Sequence, residues 1–325
     1  MNIAIVGVGE WGKNHLRVFS ELSQINKIKL WDINKKQSDI QTYKSEFAKN
    51  YEEILDDKGT EAISICSPAS THYSLAKAAL EADKHVFVEK PMTLSFKEAE
   101  ELIVLTKKNK KVLMPGHIFR FDPAVEKLKE IWSSLGNIRF LASSRMGLIT
   151  PRKDCGVIFD FAIHDIDLSC YLLNQTPLEV SAVSNDQGKN NSFEDVAFVN
   201  LYFKNGITAN IAVSWLSQKK IRELLVVGDK KSAKIDYMRQ ELTIFNKTIT
   251  PHADSFGAFK LLKAEGNEFK PYIKNEEPLK KELMHFVACV LNKKKPIIDG
   301  ADALKTTKII EAAYLSIREK MSVRI

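Results

Sequence analysis

The chain is poor in the features that mark secretion, membrane insertion or metal binding. Of its 325 residues only four are cysteine, Cys66, Cys155, Cys170 and Cys289, widely separated and with no C-x-x-C spacing. That excludes a disulfide framework and a zinc ribbon, and points to reduced thiols, a cytoplasmic protein and no metal. No apolar run approaches the roughly 20 residues a membrane span needs. The start, M-N-I-A-I-V-G-V-G, lacks the basic segment and long apolar stretch of a signal peptide. There is no internal repeat and no low-complexity tract. Acidic residues are in deficit, 41 against 48 Lys and Arg, for a net charge of +7. Two lysine clusters stand out, Lys107, Lys108, Lys110 and Lys111, and residues 293–295. Both follow expected helices, where cations offset the macrodipole. They read as solvated helix ends rather than as a nucleic-acid patch, and neither nucleic acid nor membrane is expected as a partner. The excess charge still suits an anionic substrate. What remains is an ordinary globular composition, 44% hydrophobic and 27% charged, long enough for two domains.

Residues 3–7, I-A-I-V-G, lead into Gly7-x-Gly9-x-x-Gly12, with Val8, Glu10 and Trp11 between the glycines. A helix follows, with Leu16, Phe19 and Leu22 at helical spacing, then an expected strand at 28–32 ending in Asp32. Strand, glycine turn, helix, strand and acid in that order form the dinucleotide fingerprint. Gly7 permits the tight turn, Gly9 the approach of a pyrophosphate, and Gly12 close helix packing. The phosphates then sit at a helix N-terminus. Asp32 suits the ribose hydroxyls and repels a 2′-phosphate, which favours NAD over NADP, although Lys35 and Lys36 stand nearby.

The alternation continues: helix at 51–55, strand 62–66, helix 71–82, strand 85–88, helix 96–107 and strand 111–114. This spacing predicts an α/β N-terminal domain with a doubly wound parallel sheet, over residues 1–120. Ligands bind at strand carboxyl ends in such sheets, where Ser67-Pro68, Glu89-Lys90 and Gly116-His117 fall beside the glycine turn. From 121 to 325 the pattern predicts an α+β domain with a large, mostly antiparallel open sheet. A helix at 121–132 and a strand at 138–144 come first. Strands at 179–184, 194–203, 207–215, 222–228, 232–237 and 241–246 follow, with hairpin turns at Asn205-Gly206 and 228–230. Residues 251–278 read as an irregular excursion, and helices close the pattern at 279–292 and 301–317. The last of these is expected to pack back toward the first domain.

The stretch C-G-V-I-F-D-F-A-I-H-D-I-D-L (155–168) reads as a largely buried helix starting near Gly156. Asp160 and His164 lie four apart and share a face, which Asp167 extends. A carboxylate that orients an imidazole or tunes its pKa can move protons. A core histidine satisfied by an aspartate is the plainer alternative.

Together with E-K-P (89–91), C-S-P-A-S-T-H-Y-S-L-A (66–76), G-H-I-F-R-F-D-P-A (116–124) and S-W (214–215), these motifs run along essentially the whole chain in a recognisable order. The chain resembles the glucose–fructose oxidoreductase / inositol dehydrogenase (Gfo/Idh/MocA) family. The resemblance implies a dehydrogenase with Lys90 as active-site lysine and Asp160 and His164 as catalytic partners. It implies cofactor contacts at Ser67, Pro68, His72 and Glu89 as well as the glycine loop. It places Arg120 in the cleft between domains, with His117 beside it as a substrate-binding candidate. Asp165 falls at a position that varies in relatives and is given no role. Within the family, G-H-I-x-R-F-x-P-A and G-V-I-x-D-x-A-I-H-D-I-D are similar to enzymes that oxidise the 3-hydroxyl of UDP-N-acetylhexosamines or their uronates. Similar wording occurs in inositol dehydrogenase-like relatives. Lys219, Lys220 and Arg222 either meet a diphosphate or simply open a basic strand in solvent. A homodimer or homotetramer is expected by analogy. A catalytically silent dinucleotide-sensing regulator is the rival from another class, and the combination of Lys90, Asp160 and His164 argues against it.

Overall fold

The computed structural model describes residues 1–34, 42–185, 193–249 and 264–325. The first half runs β1 (Asn2–Val6), α1 (Glu10–Glu21), β2 (Lys27–Trp31), β3 (Ser45–Phe47), α2 (Tyr51–Asp56), β4 (Ala62–Ile65), α3 (Ala69–Glu81), β5 (His85–Glu89), α4 (Phe96–Asn109) and β6 (Leu113–Gly116). Its strands form one parallel sheet in the order β3-β2-β1-β4-β5-β6. The apolar runs Ile3, Ala4, Ile5, Val6 and Ala62, Ile63, Ile65 are solvent-free, as central parallel strands covered on both faces must be. The strand order reverses at β1/β4, so a crevice opens there at the carboxyl ends. Strand β3 is absent from the sequence reading, α3 starts two residues early, and β6 lies later than expected. Pro115 is tolerated in β6 because that strand is an edge of the sheet.

The second half holds α5 (Pro123–Glu130), β7 (Ile138–Leu148), a π-turn (Ile158–Ala162) leading into α6 (Ile163–Leu173), β8 (Glu179–Ser184), β9 (Val196–Tyr202), β10 (Thr208–Ser214), β11 (Leu216–Gly228), β12 (Ser232–Asp236), β13 (Glu241–Ile249), β14 (Ala264–Phe269), α7 (Pro278–Leu291), α8 (Gly300–Glu319) and β15 (Val323–Arg324). The strands build a nine-stranded sheet, β14-β13-β12-β11-β7-β10-β9-β8-β15, antiparallel except where β10 meets β7. Asn205 (φ 60°) and Gly206 (φ 71°) are both left-handed, as the tight β9–β10 hairpin requires. The expected helix at 121–132 is instead α5 between two 3₁₀ turns, Ile118–Phe121 and Trp132–Leu135. Asp122 accepts the Ala124 N–H at 2.8 Å and Pro123 takes the first helical position, which fixes the start. Of the expected excursion, 251–263 lie outside the described residues, whereas Ala264–Phe269 is an edge strand paired to β13.

One face of the large sheet packs on α5, α6 and α8 through Leu141, Val199, Ile211, Val213, Ile166 and Ile310. The other leaves Phe140, Val183, Phe198 and Tyr202 exposed, the alternation of a one-sided sheet. Helix α8 also packs on α4, and Glu311 accepts the Phe96 N–H at 2.7 Å. No helix among the described residues is long and apolar enough to cross a membrane.

Asp165, given no role above, is buried and takes both ends of the equally buried Arg145 guanidinium, at 2.9 and 3.1 Å. Arg145 in turn lies 4.2 Å over the Phe119 ring. Replacing Asp165 strands a cation in the core. Asp165→Ala is expected to lower unfolding stability by about 3–5 kcal/mol, read from urea titration.

Candidate active site

The glycine loop is built by close backbone approach. A Cβ on Gly7 (φ 87°) would stand 2.6 Å from the Ser67 nitrogen, and one on Gly12 1.9 Å from the Gly7 carbonyl oxygen. A Cβ on Gly9 would meet nothing within 4 Å. Gly9 therefore faces open space, while Gly7 and Gly12 seal the loop against the sheet. Asp32 accepts the Val8 N–H at 2.7 Å and the Asn34 N–H at 2.9 Å, so it holds the loop at the end of β2. A cleft of about 810 Å³ opens here. Gly7, Gly9, Glu10, Trp11, Asp32, Ser67, Pro68, His72, Glu89 and Lys90 all line it. Val8 is fully buried, and Gly12 lies beneath the loop. Lys35 and Lys36 fall outside the described residues. His72 is a brace under the cleft, its ring nitrogens 2.8 Å from the Ser67 carbonyl and 2.7 Å from that of Pro91. Burial holds its pKa below the ordinary value. This open glycine and the acid beyond it fit the pyrophosphate and ribose of a dinucleotide.

Beneath the cleft lies a pair the sequence reading missed. His15 places Nε2 3.0 Å from Glu89 Oε1 and Nδ1 2.8 Å from Ser64 Oγ. Burial opposes its charge, but Cys66 and Glu89 outweigh burial and raise its pKa to about 10. Burial likewise opposes the Glu89 carboxylate, and His15 outweighs it, so Glu89 is held below the ordinary range. His15 looks like any polar residue on an amphipathic helix, and its partner is remote in sequence.

At the mouth of the cleft Lys90 Nζ donates to Asp160 Oδ1 at 2.8 Å and to the Asp160 carbonyl at 2.7 Å. Trp215 Nε1 donates to Asp160 Oδ2 at 3.1 Å, and an Arg152 nitrogen lies 3.5 Å from Oδ1. Burial works against the ionised Asp160, but Lys90 outweighs it and the carboxyl sits below its ordinary pKa. The expected contact between Asp160 and His164 is not made. The backbone is a π-turn there, not an α-helix, and the carboxylate is engaged by the ammonium, the guanidinium and the indole N–H. A charged donor binds a carboxylate more strongly than a neutral imidazole does. His164 is buried, its Nδ1 without a partner among the described residues, its ring 4.8 Å from Phe119. Burial first, then the Lys90 and Arg145 cations, push its pKa well below 6.5. It is therefore neutral, opposite to the expectation that Asp160 favours its charged form.

Glu194, absent from the sequence reading, sets the π-turn. Its carboxylate accepts the Ile158 N–H at 3.0 Å and the Tyr314 hydroxyl at 2.7 Å, and its carbonyl accepts the Val157 N–H. Gly156 is required because a Cβ there would stand 2.1 Å from that carboxylate. Arg152 was also missed. It pairs with Asp154 at 2.8 and 2.9 Å, and Asp154 accepts the Ala69 N–H at 2.7 Å, at the start of α3. This segment straps the second half of the chain to the cleft wall.

Arg120 does not line the cleft. It is buried in ion pairs with Asp167, at 2.5 and 2.8 Å, and Asp302, at 3.2 Å. His117 is buried as well, its Nδ1 3.8 Å from Asp167, with neither ring nitrogen hydrogen-bonded among the described residues. Lys220 is exposed at the start of β11. Arg222 is half-buried, donating to the Met146 carbonyl at 2.6 Å and lying 4.4 Å over Phe161. Burial and Arg145 lower its pKa to about 10.

Residues 1–117 match an oxidoreductase family with an NAD-binding Rossmann fold, and residues 144–325 match the same family's C-terminal alpha/beta domain. The chain belongs to the Gfo/Idh/MocA oxidoreductase family. It is 29% identical to a UDP-N-acetylglucosamine 3-dehydrogenase of Acidithiobacillus ferrooxidans, over 76% of this chain and 77% of the relative. A scyllo-inositol 2-dehydrogenase (NAD(+)) of Bacillus subtilis is 30% identical, over 84% of this chain and 80% of the relative. The solved structure of the Acidithiobacillus enzyme superposes with a TM-score of 0.82 at 24% identity, covering 98% of each chain, which shows the shared fold. This Gfo/Idh/MocA member is thus a sugar-type oxidoreductase that uses a nicotinamide dinucleotide.

Gly9→Val adds bulk only to open space. Melting temperature should stay within a degree or two of wild type, whereas NADH affinity should fall at least about tenfold, ~1.4 kcal/mol. Fluorescence titration with NADH measures the second; unchanged affinity would mean the dinucleotide lies elsewhere.

Proposed function

We propose that this chain oxidises the 3-hydroxyl of a UDP-N-acetylhexosamine, or of its uronate, with NAD. The observation that carries the reading is the Lys90–Asp160 pair at the mouth of the dinucleotide cleft, beside a neutral His164. Lysine has three N–H donors. Asp160 takes two of them, which leaves one to meet a substrate oxygen. His164, uncharged, is ready to accept the hydroxyl proton. As the proton leaves, the free Lys90 N–H stabilises the growing alkoxide charge. Asp160 holds Lys90 in place, and Trp215 fixes the second carboxylate oxygen. The nicotinamide supplies the hydride acceptor when bound.

Asp32 at the end of β2 supports NAD over NADP, since its charge opposes a 2′-phosphate. The exposed Lys220 and the half-buried Arg222 support a diphosphate-bearing substrate, as do the G-H-I-F-R-F-D-P-A and A-I-H-D-I-D motifs and the likeness to a UDP-N-acetylglucosamine enzyme. Relatives named as inositol dehydrogenases at similar identity favour a second reading, a free cyclitol. The exposed row Phe140, Phe198 and Tyr202 supports association of copies through the outer face of the large sheet.

Two measurements check the reading. Lys90→Met should cut turnover roughly 100- to 1,000-fold with NADH binding retained. The lowered His164 pKa means the wild-type rate falls only on acidification below the ordinary histidine range. Removing the neighbouring cation raises that pKa, so the acidic limb of the residual activity should move to higher pH. Separately, UDP-N-acetylglucosamine, its uronate, myo-inositol and scyllo-inositol should be compared for NADH formation, with NADP as second acceptor. Faster turnover of a free cyclitol would overturn the nucleotide-sugar assignment, and a preference for NADP would overturn the role given to Asp32.

A further inference from the structure

The two lysine clusters that stand 180 residues apart in sequence meet in space. Lys107, Lys110 and Lys111 follow or end α4, and Lys293, Lys294 and Lys295 follow α7; all six line one cleft of about 650 Å³. The cleft lies at the beginnings of β5 and β6, the end of the parallel sheet opposite the glycine loop. Its floor is apolar: Ile103, Leu113, Val290 and Pro296. Lys111 pairs with Asp83 at 2.9 Å and Lys295 with Asp299 at 2.8 Å. The other four lysines have no ion-pair partner among the described residues. His85 lines the same cleft. Its Nδ1 accepts the Val112 N–H at 2.9 Å, so its own proton sits on Nε2, and burial and Lys111 lower its pKa to about 4. It is therefore an uncharged donor.

Solvated helix ends do not account for this arrangement. Two helix C-termini contribute about half a negative charge each. Together with the two aspartates they leave a surplus of roughly three positive charges around one concavity. Like charges held together raise one another's energy unless a counter-ion joins them.

We infer that this distal cleft binds a small polyphosphate anion, at a site separate from the dinucleotide cleft. The phosphates would meet Lys107, Lys110, Lys293 and Lys294, with the His85 Nε2–H as a neutral donor. The apolar floor is large enough for a nucleoside as well. Occupation would bear on the first turn of α8, since Asp299 and Gly300 line the cleft, and α8 packs directly on α6. The inference does not rest on the proposed substrate.

The test uses the full chain saturated with NADH, so that the dinucleotide cleft is filled. ATP and inorganic tripolyphosphate are titrated calorimetrically at physiological salt. At least one should bind in the micromolar range, and tighter binding of ATP would identify a nucleotide rather than free polyphosphate as the source. The double variant Lys107→Glu/Lys294→Glu should bind the same anion at least tenfold more weakly, with NADH affinity unchanged. A control reversal at two exposed lysines in turns of the large sheet, Lys204→Glu/Lys230→Glu, should leave anion binding within twofold. The inference is overturned if neither anion binds at millimolar concentration, if both double variants lose binding equally, or if only a long polyanion such as a DNA oligomer binds.

Discussion

A lysine from the end of the parallel sheet and an aspartate from the π-turn over the large sheet must meet in a place that water barely reaches. Lys90 comes from the end of β5 and Asp160 from the π-turn above the large sheet. Neither is stable there alone, because an isolated buried charge costs several kcal/mol. Their pairing therefore constrains both halves of the chain. It fixes the height of the π-turn over the dinucleotide cleft, and it requires Trp215, at the end of β10, to satisfy the second carboxylate oxygen. Arg152 adds a second cation to the same carboxylate, and through Asp154 reaches the first turn of α3. The same contact thus closes the seam between the sheets and sets the chemistry at their junction.

The charges around α6 extend that logic. His164, Asp165 and Asp167 are consecutive or nearly so, yet they face three environments. Asp165 neutralises Arg145, Asp167 neutralises Arg120, and His164 is left with cations as neighbours and no carboxylate in contact. An imidazole so placed stays uncharged. Its neutrality is a consequence of where the aspartates spend their negative charge, not of burial alone. The arrangement also explains why Asp165 matters although it touches nothing in the cleft. Without it the Arg145 guanidinium would be uncompensated beside both Phe119 and His164.

The fold was legible because its signals are local. The glycine turn, the following helix and Asp32 stand in one continuous stretch, and the strand–helix alternation needs only hydrophobic periodicity. Asn205-Gly206 announces its own hairpin. The candidate site was legible as a list of residues and much less so as a set of contacts. Spacing of four placed Asp160 and His164 on one face, which is sound for an α-helix, but nothing in the sequence marks a π-turn. That turn depends on Glu194 and Tyr314, far away in the chain. Arg120 was placed in the cleft because its position matched a pattern, whereas its ion pairs with Asp167 and Asp302 come from tertiary packing. His15 and Arg152 were missed for the same reason. Each is defined by a partner that only the folded chain brings near.

Helix α8 covers α4 and supplies the carboxylate that accepts the Phe96 N–H, although nearly 200 residues separate the two helices. The consequence is one of timing. A ribosome adding ~5–20 residues per second needs roughly 10–40 s to travel from the end of α4 to the beginning of α8. For that interval the parallel sheet is complete in its strands while part of its helical cover has not been made. The flank of α4 at Ile103, against which Gly300 of α8 packs, waits uncovered in a crowded solution. A nascent chain of this design is expected to lean on a chaperone, or on its own loosely held α4, until the final helix arrives.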